Sequence, residues 1–335
     1  MKPLLEIRRL SVSYEHFPES VRAVRSISLQ ISEGETLALV GETGSGKSTL
    51  AHAVLGLLGR QSRMESGEIL FENRSLQSLK PREWKSIRSR KIGIIFQDTR
   101  SALNPVLTIG AHLIETLRAH RRVSKKEARA RALELLQEVG IPRGHERLYP
   151  FELSGGECQR VGVALGICNN PRLLIADEPT SAVDSTLQAQ ILDLLQQMKQ
   201  RYGLALLLIS HDLPLISQIS DRISVLYHGS LVESGLAQEI LATPAHPYTR
   251  GLIQCQPDLS HHHETNPLAA IPGSAPRPGE DLPGCAFAPR CGELAPQCRN
   301  LVPAGHEISE THWAACFRDY ADERCKAEAG NRSPG

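Results

Sequence analysis

Nine consecutive residues, Gly41, Glu42, Thr43, Gly44, Ser45, Gly46, Lys47, Ser48 and Thr49, spell a Gly, four residues, Gly-Lys-Ser loop. Glycines let such a loop curl its backbone N–H groups around the β- and γ-phosphates of a nucleotide. A helix starting there points its positive N-terminal end at the same phosphates. Lys47 would supply a mobile cation and the Ser48 hydroxyl an oxygen for Mg²⁺. A second group follows at residues 173–178, Leu-Leu-Ile-Ala-Asp-Glu. Its aliphatic run delivers Asp177 and Glu178 to the carboxyl end of a strand, where ligands of open α/β sheets bind. Asp177 would join the Mg²⁺ shell. Glu178 would take a proton from an attacking water, a role worth about 10² to 10⁴ in rate. Alone, an acidic pair before Pro179 reads equally well as the start of a solvated loop; the phosphate loop upstream favours the chemical reading. A third group lies at residues 153–157, Leu-Ser-Gly-Gly-Glu. Ser154 and Glu157 make a capping box, and a helix whose first turn holds Gly155 and Gly156 offers N–H groups to an anion.

These residues need a frame. Short aliphatic runs at 37–40, 92–96, 173–176, 204–209 and 223–226 each read as a strand buried on both faces, as in a parallel sheet flanked by helices. Between them, Ser124 to Gly140 reads as a helix, with Ser124 and Glu127 as a capping box and Gly140 at the C-terminal end. Leu133, Leu135, Leu136 and Val139 form its apolar face. The stretch from about 98 to 165 is therefore a helical insertion between two strands of an α/β core. After about 240 the character changes: 11 of the 21 prolines fall between Pro244 and Pro303, so regular secondary structure cannot dominate there.

Composition sets outer bounds. The 335 residues carry 38 basic and 37 acidic side chains, a net charge of +1, so no basic field points to nucleic acid. With 41% hydrophobic but only 4% aromatic residues, the core must be aliphatic. No apolar run nears the roughly 18 residues that span a bilayer. Glu6, Arg8 and Arg9 interrupt the N-terminus, which does not read as a signal peptide. A cytosolic chain is expected, reaching a membrane only through a partner. Structural disulfides are then disfavoured. Yet five of eight cysteines, Cys285, Cys291, Cys298, Cys316 and Cys325, fall in the last 51 residues. The first four are separated by five, six and seventeen residues. That is neither a zinc knuckle nor a ferredoxin run, only four thiols able to share a metal. Cys158, Cys168 and Cys255 read as ordinary small residues, and His261 to His263 as a solvated loop.

Taken together, the motifs resemble the P-loop ABC ATPase cassette. Leu-Ser-Gly-Gly-Glu resembles the family's signature, whose Ser154, Gly155 and Gly156 would meet the γ-phosphate held by a second cassette. Gln97, after Ile-Gly-Ile-Ile-Phe, resembles the loop glutamine that contacts Mg²⁺ with Ser48 and Asp177. Residues 181–184, ending in Asp184, resemble the loop crossing the dimer interface. His211 resembles the switch histidine, and Tyr14 the aromatic that stacks on adenine, although a core tyrosine reads there as well. No catalytic position departs from the family pattern. The segments Ser-Ala-Leu-Asn-Pro at 101–105, His-Pro-Tyr-Thr-Arg-Gly-Leu at 246–252 and residues 271–291 resemble, more narrowly, ATPases of oligopeptide, dipeptide and nickel importers.

The resemblance implies an α/β cassette over 1–240, with mixed core sheet and helical insertion, and a Cys- and Pro-rich extension over 241–335. It implies ATP and Mg²⁺ as ligands, and a [4Fe–4S] cluster on Cys285, Cys291, Cys298 and Cys316, with zinc as the alternative and Cys325 outside the set. Implied partners are a second, related ATPase subunit, two transmembrane permease subunits and, indirectly, an extracytoplasmic solute-binding protein. The chain would sit on the cytoplasmic face of the inner membrane. Peptide uptake leads as the function; nickel, metal chelates or other small solutes remain open. A soluble ABC ATPase acting on ribosomes or DNA is a rival class, disfavoured by the single cassette and the lack of a coiled coil or basic patch, and the tail argues against an exporter.

Overall fold

The strands expected from aliphatic runs form the centre of the computed structural model, which describes residues 2–15, 20–120, 122–181, 184–255, 270–277 and 279–318. The strands are β1 (Leu5–Glu15), β2 (Ser20–Ile31), β3 (Thr36–Val40), β4 (Ser62–Phe71), β5 (Arg74–Ser75), β6 (Ile92–Ile95), β7 (Leu173–Asp177), β8 (Ala205–Ser210), β9 (Arg222–Tyr227), β10 (Ser230–Leu236), β11 (His306–Glu307) and β12 (Trp313–Ala314). The helices are α1 (Lys47–Val54), α2 (Pro81–Ile87), α3 (Thr99–Ala102), α4 (Ile109–His120), α5 (Lys125–Glu138), α6 (Gly155–Ile167), α7 (Ser185–Tyr202), α8 (Leu213–Ser217), α9 (Ala237–Ala242) and α10 (Pro247–Gln254).

The main sheet runs β11-β12-β10-β9-β3-β8-β7-β6. From β9 to β6 all neighbours are parallel; β10, β12 and β11 continue antiparallel. Side chains alternate between two cores because successive residues point to opposite faces. Ala38 and Val40 of β3 face a helical core with α4 to α7, while Leu37 and Leu39 face the other side. There, α1 and a four-stranded antiparallel sheet, β2-β1-β4-β5, close the second core. The helical insertion is present as α3 to α6, and Ser124 caps α5 with Glu127 as a capping box. Leu135, Leu136 and Val139 of the expected apolar face are buried, and Leu133 is half-buried.

The sequence reading missed the antiparallel sheet. Its strands break strict alternation: pairing of β1 shifts register after Ile7 and again after Leu10, and Arg9 and Ser26 hold positive φ of 44° and 50°. Bulges of that kind erase the two-residue period that marks a strand.

The Pro-rich extension joins the main sheet itself. β12 pairs with β10, and His312 Nε2 meets Glu233 Oε1 at 2.7 Å with both side chains fully buried. Glu233 also accepts from the N–H groups of Ala245 (2.6 Å) and His246 (2.9 Å). Near the N-terminal sheet, Arg25 Nη1 donates to Asp281 Oδ1 at 2.5 Å.

Candidate active site

The phosphate loop joins β3 to α1, and two of its three glycines are there for space. A Cβ on Gly41 (φ 157°) would lie 2.2 Å from Leu226 O, and one on Gly46 (φ 103°) 2.4 Å from Ala23 O. Lys47 is buried, and its Nζ donates to Gly41 O (2.7 Å) and Glu42 O (3.0 Å). Burial lowers its pKa, opposed by the negative field of Glu178, Asp177 and Glu42. Ser48 Oγ donates to Asp177 Oδ1 at 3.2 Å. Those two oxygens are hard donors of the kind Mg²⁺ selects. Burial raises the Asp177 pKa, so a cation beside it would restore the carboxylate. Tyr14, half-buried on β1, reaches the loop through Thr49 Oγ1, 3.2 Å from its hydroxyl.

Three of the expected residues converge because their strands are neighbours. Gln97 follows β6, Glu178 follows β7 and His211 follows β8, and the parallel register sets Asp177 beside Ile209. Glu178 adopts a left-handed φ of 45° directly after the strand, with its N–H on Ile209 O at 2.9 Å. Such a conformation costs a non-glycine residue roughly 1–2 kcal/mol. The turn leaves the Glu178 carboxylate accepting from Gln97 Nε2 (2.8 Å) and 3.6 Å from His211 Nδ1. A carboxylate held between an amide and an imidazole can orient a water and receive its proton.

The signature residues stand elsewhere. Ser154 caps α6: its Oγ accepts from Glu157 N (3.3 Å) while Glu157 Oε2 takes the N–H of Ser154 at 3.0 Å. The bonds from the Ser154 N–H and hydroxyl hold the Glu157 carboxyl below its usual range. Ser154, Gly155, Gly156, Arg160 and Asp184, the cap of α7, line a cavity of about 410 Å³ to which no phosphate-loop residue contributes. Gly156 is fixed by packing, since a Cβ there would meet Leu187 Cδ2 at 2.6 Å. Of the expected interface loop, Ala182 and Val183 lie outside the described residues.

The four expected cysteine ligands share one cavity of about 340 Å³, lined also by His246 and Phe287. Cys285 N donates to Cys298 O at 2.8 Å, and the seven described cysteines are thiols rather than disulfides. Burial, reinforced by the neighbouring thiols, pushes Cys285 and Cys291 up to about 11. Among the described residues, however, no group of three or more His, Cys, Asp or Glu stands in metal-holding geometry. The expected cluster and its zinc alternative thus find no formed coordination shell. The donor type still suits a soft or borderline cation: the groups are neutral thiols, and a bound cation would favour loss of their protons. Cys325 and His261 to His263 lie outside the described residues.

The sequence reading left two residues out of the site. Tyr248 and Arg290, both from the extension, bond to Glu42 of the phosphate loop. Their motifs were visible in the sequence, but nothing in it tied them to residue 42.

The chain is similar to known proteins. Residues 24–181 match the family model described as ABC transporter. Residues 232–298 match that of the oligopeptide/dipeptide transporter, C-terminal region. The oligopeptide transport ATP-binding protein AppD of Bacillus subtilis is 42% identical over 320 residues, covering 95% of this chain and 97% of its own. The oligopeptide transport ATP-binding protein OppD of the same organism is 40% identical over 322 residues, 95% of this chain and 90% of its own. This chain belongs to the ABC transporter family. As an ABC-type ATPase it hydrolyses ATP. Its cassette superposes on the ATP-binding cassette MJ0796, a dimer bound to ADP and Pi after hydrolysis. The TM-score is 0.63 at 30% identity, over 70% of this chain and 98% of that one. The matched C-terminal region of this ABC subunit runs from β10 to Cys298 and leaves Cys316 beyond it.

Proposed function

We propose that this chain is the ATP-hydrolysing subunit of a peptide importer. The observation that carries the reading is the convergence of Gln97, Glu178 and His211 at three adjacent strand ends, with Ser48 and Asp177 joined beside them. Lys47 and the backbone N–H groups of residues 41–49 hold the β- and γ-phosphates. Glu178 accepts the proton of the attacking water, and Gln97 and His211 fix its carboxylate. Tyr14 stacks on the adenine. Mg²⁺, when bound, neutralises phosphate charge; Ser48, Asp177 and Gln97 would hold it.

Ser154, Gly155, Gly156 and Asp184 serve a different nucleotide, the one bound by an opposing cassette. What supports this is their separate cavity, lined by the first turn of α6, whose Gly155 and Gly156 leave the backbone open to a ligand. A second, related ATPase subunit completes the pair. The two ride on the cytoplasmic face of the inner membrane, bound to two transmembrane permease subunits that receive solute from an extracytoplasmic binding protein. Support for a peripheral position is that, among the described residues, no helix is long and apolar enough to cross a membrane. The names of the relatives, with their oligopeptide and dipeptide transport, favour peptides as the solute.

In the extension, Cys285, Cys291, Cys298 and Cys316 would hold a [4Fe–4S] cluster, with zinc as the alternative. Its role is a structural tie, and no step of hydrolysis passes through it. The test of function is reconstitution in liposomes with the membrane partners. Peptide in the presence of binding protein should raise ATP hydrolysis together with uptake of label. Uptake driven by a nickel chelate, and not by peptide, would reassign the solute.

A further inference from the structure

Two stretches of the extension, His246-Pro247-Tyr248 and Ala288-Pro289-Arg290-Cys291, have no place in the site as proposed above, yet both reach it. Glu42 donates its N–H to the Tyr248 hydroxyl at 2.9 Å, and its carboxylate accepts from Arg290 Nη1 at 2.8 Å. Arg290 is anchored in turn: Nη1 lies 3.3 Å from the Tyr227 hydroxyl at the end of β9, and Nε donates to Pro272 O at 3.0 Å. Its side chain is only 6% exposed. Tyr248 is fully buried, packed 4.6 Å from the Tyr227 ring and 5.4 Å from Phe287, centroid to centroid.

The bonded peptide matters more than the count of contacts. A peptide unit is planar and rotates as one body. In the unit joining Gly41 to Glu42, the N–H goes to Tyr248 while the C=O accepts from Lys47 Nζ at 2.7 Å. Turning that plane moves both groups, so the tyrosine on the extension sets where the lysine's carbonyl partner points. Buried groups with fixed partners also stop the Glu42 side chain from swinging over the loop.

We propose that Tyr248 and Arg290 are positioning residues of the ATP site, holding the Gly41–Glu42 peptide and the Glu42 carboxylate so that the loop and Lys47 are preset for phosphate. The proposal rests on reading residues 41–49 as the ATP site. A loop that is preset only part of the time binds with an affinity reduced by that fraction, while saturating ligand restores the bound form. Loss of either residue should therefore raise KM for MgATP and spare kcat.

The experiment measures nucleotide affinity of the full chain and steady-state hydrolysis by the assembled transporter. Tyr248→Phe removes one hydroxyl at constant shape and should raise KM about fivefold. Arg290→Ala removes a charged hydrogen bond and should raise it about tenfold, with Arg290→Lys in between. Each should leave kcat within about twofold. Arg290→Ala combined with Glu42→Gln should be no worse than Arg290→Ala alone, because both remove one interaction. Unchanged KM with only a lower melting temperature would reduce the pair to structural support and overturn the proposal. A fall in kcat at unchanged KM, or additive losses in the double variant, would overturn it equally. If Arg290→Ala fails to fold, Tyr248→Phe decides alone. Lys47→Ala is the control: if it binds ATP like the wild type, the ATP-site reading has failed rather than the clamp.

Discussion

Lys47 shows how one side chain joins sequence, packing and chemistry. A buried ammonium survives only with partners, and this one has the carbonyls of Gly41 and Glu42 and the fields of Glu178 and Asp177. Lys47→Ala should weaken MgATP binding about 10- to 100-fold, the range for lost charged hydrogen bonds. Equilibrium binding of a fluorescent ATP analogue checks it, and affinity within a factor of two of wild type would contradict it. Lys47, Ser48, Asp177 and Glu178 were legible in the sequence because each stands at a set distance from an aliphatic run. Tyr248 and Arg290 were not. Their partner Glu42 lies 206 and 248 positions away, and no local pattern spans such a gap.

At the scale of elements, parallel strands were legible and bulged ones were not. β3, β7 and β8 are buried on both faces and read as continuous apolar runs. β1 and β2 carry register shifts and charged outer faces, so their period is lost. The start of α6 was legible as a capping box, but the cavity it forms with Asp184 of α7 depends on tertiary packing. Ser154→Asp keeps a competent cap while adding a carboxylate where a phosphate should sit. ATP binding by the isolated chain should stay within about twofold, while hydrolysis by the assembled pair is lost; weakened binding in the folded isolated chain would place Ser154 at its own nucleotide. Glu233 on β10 is the tie between sheet and extension, accepting from Ala245, His246 and His312. Glu233→Ala leaves those partners buried and unpaired, at a cost of about 3 kcal/mol. Limited proteolysis should then cut beyond residue 236 at low protease, and a wild-type digestion pattern would contradict the tie.

Across the whole molecule, two groups of residues stand apart: the phosphate loop with Asp177 and Glu178, and Ser154 to Gly156 with the α7 cap, which the proposal reads as two half-sites. The extension is bound to the phosphate loop through Glu42 and holds a cavity lined by four thiols. Anaerobically purified protein should hold iron and sulfide, and Cys291→Ser should lose both and become protease-sensitive between residues 279 and 318. Zinc in place of iron would keep the site and change its occupant, and no metal in either protein would remove it. The reading as a whole turns on Glu178 acting as base within a pair of cassettes. The direct measurement is gel filtration of the Glu178→Gln protein with MgATP, followed by analysis of the bound nucleotide. Loss of a general base removes about 10² to 10⁴ in rate without removing phosphate contacts. The expected result is a cassette pair that elutes with unhydrolysed ATP. A Glu178→Gln protein that elutes as a monomer and releases phosphate at the wild-type rate would contradict both the base and the pair.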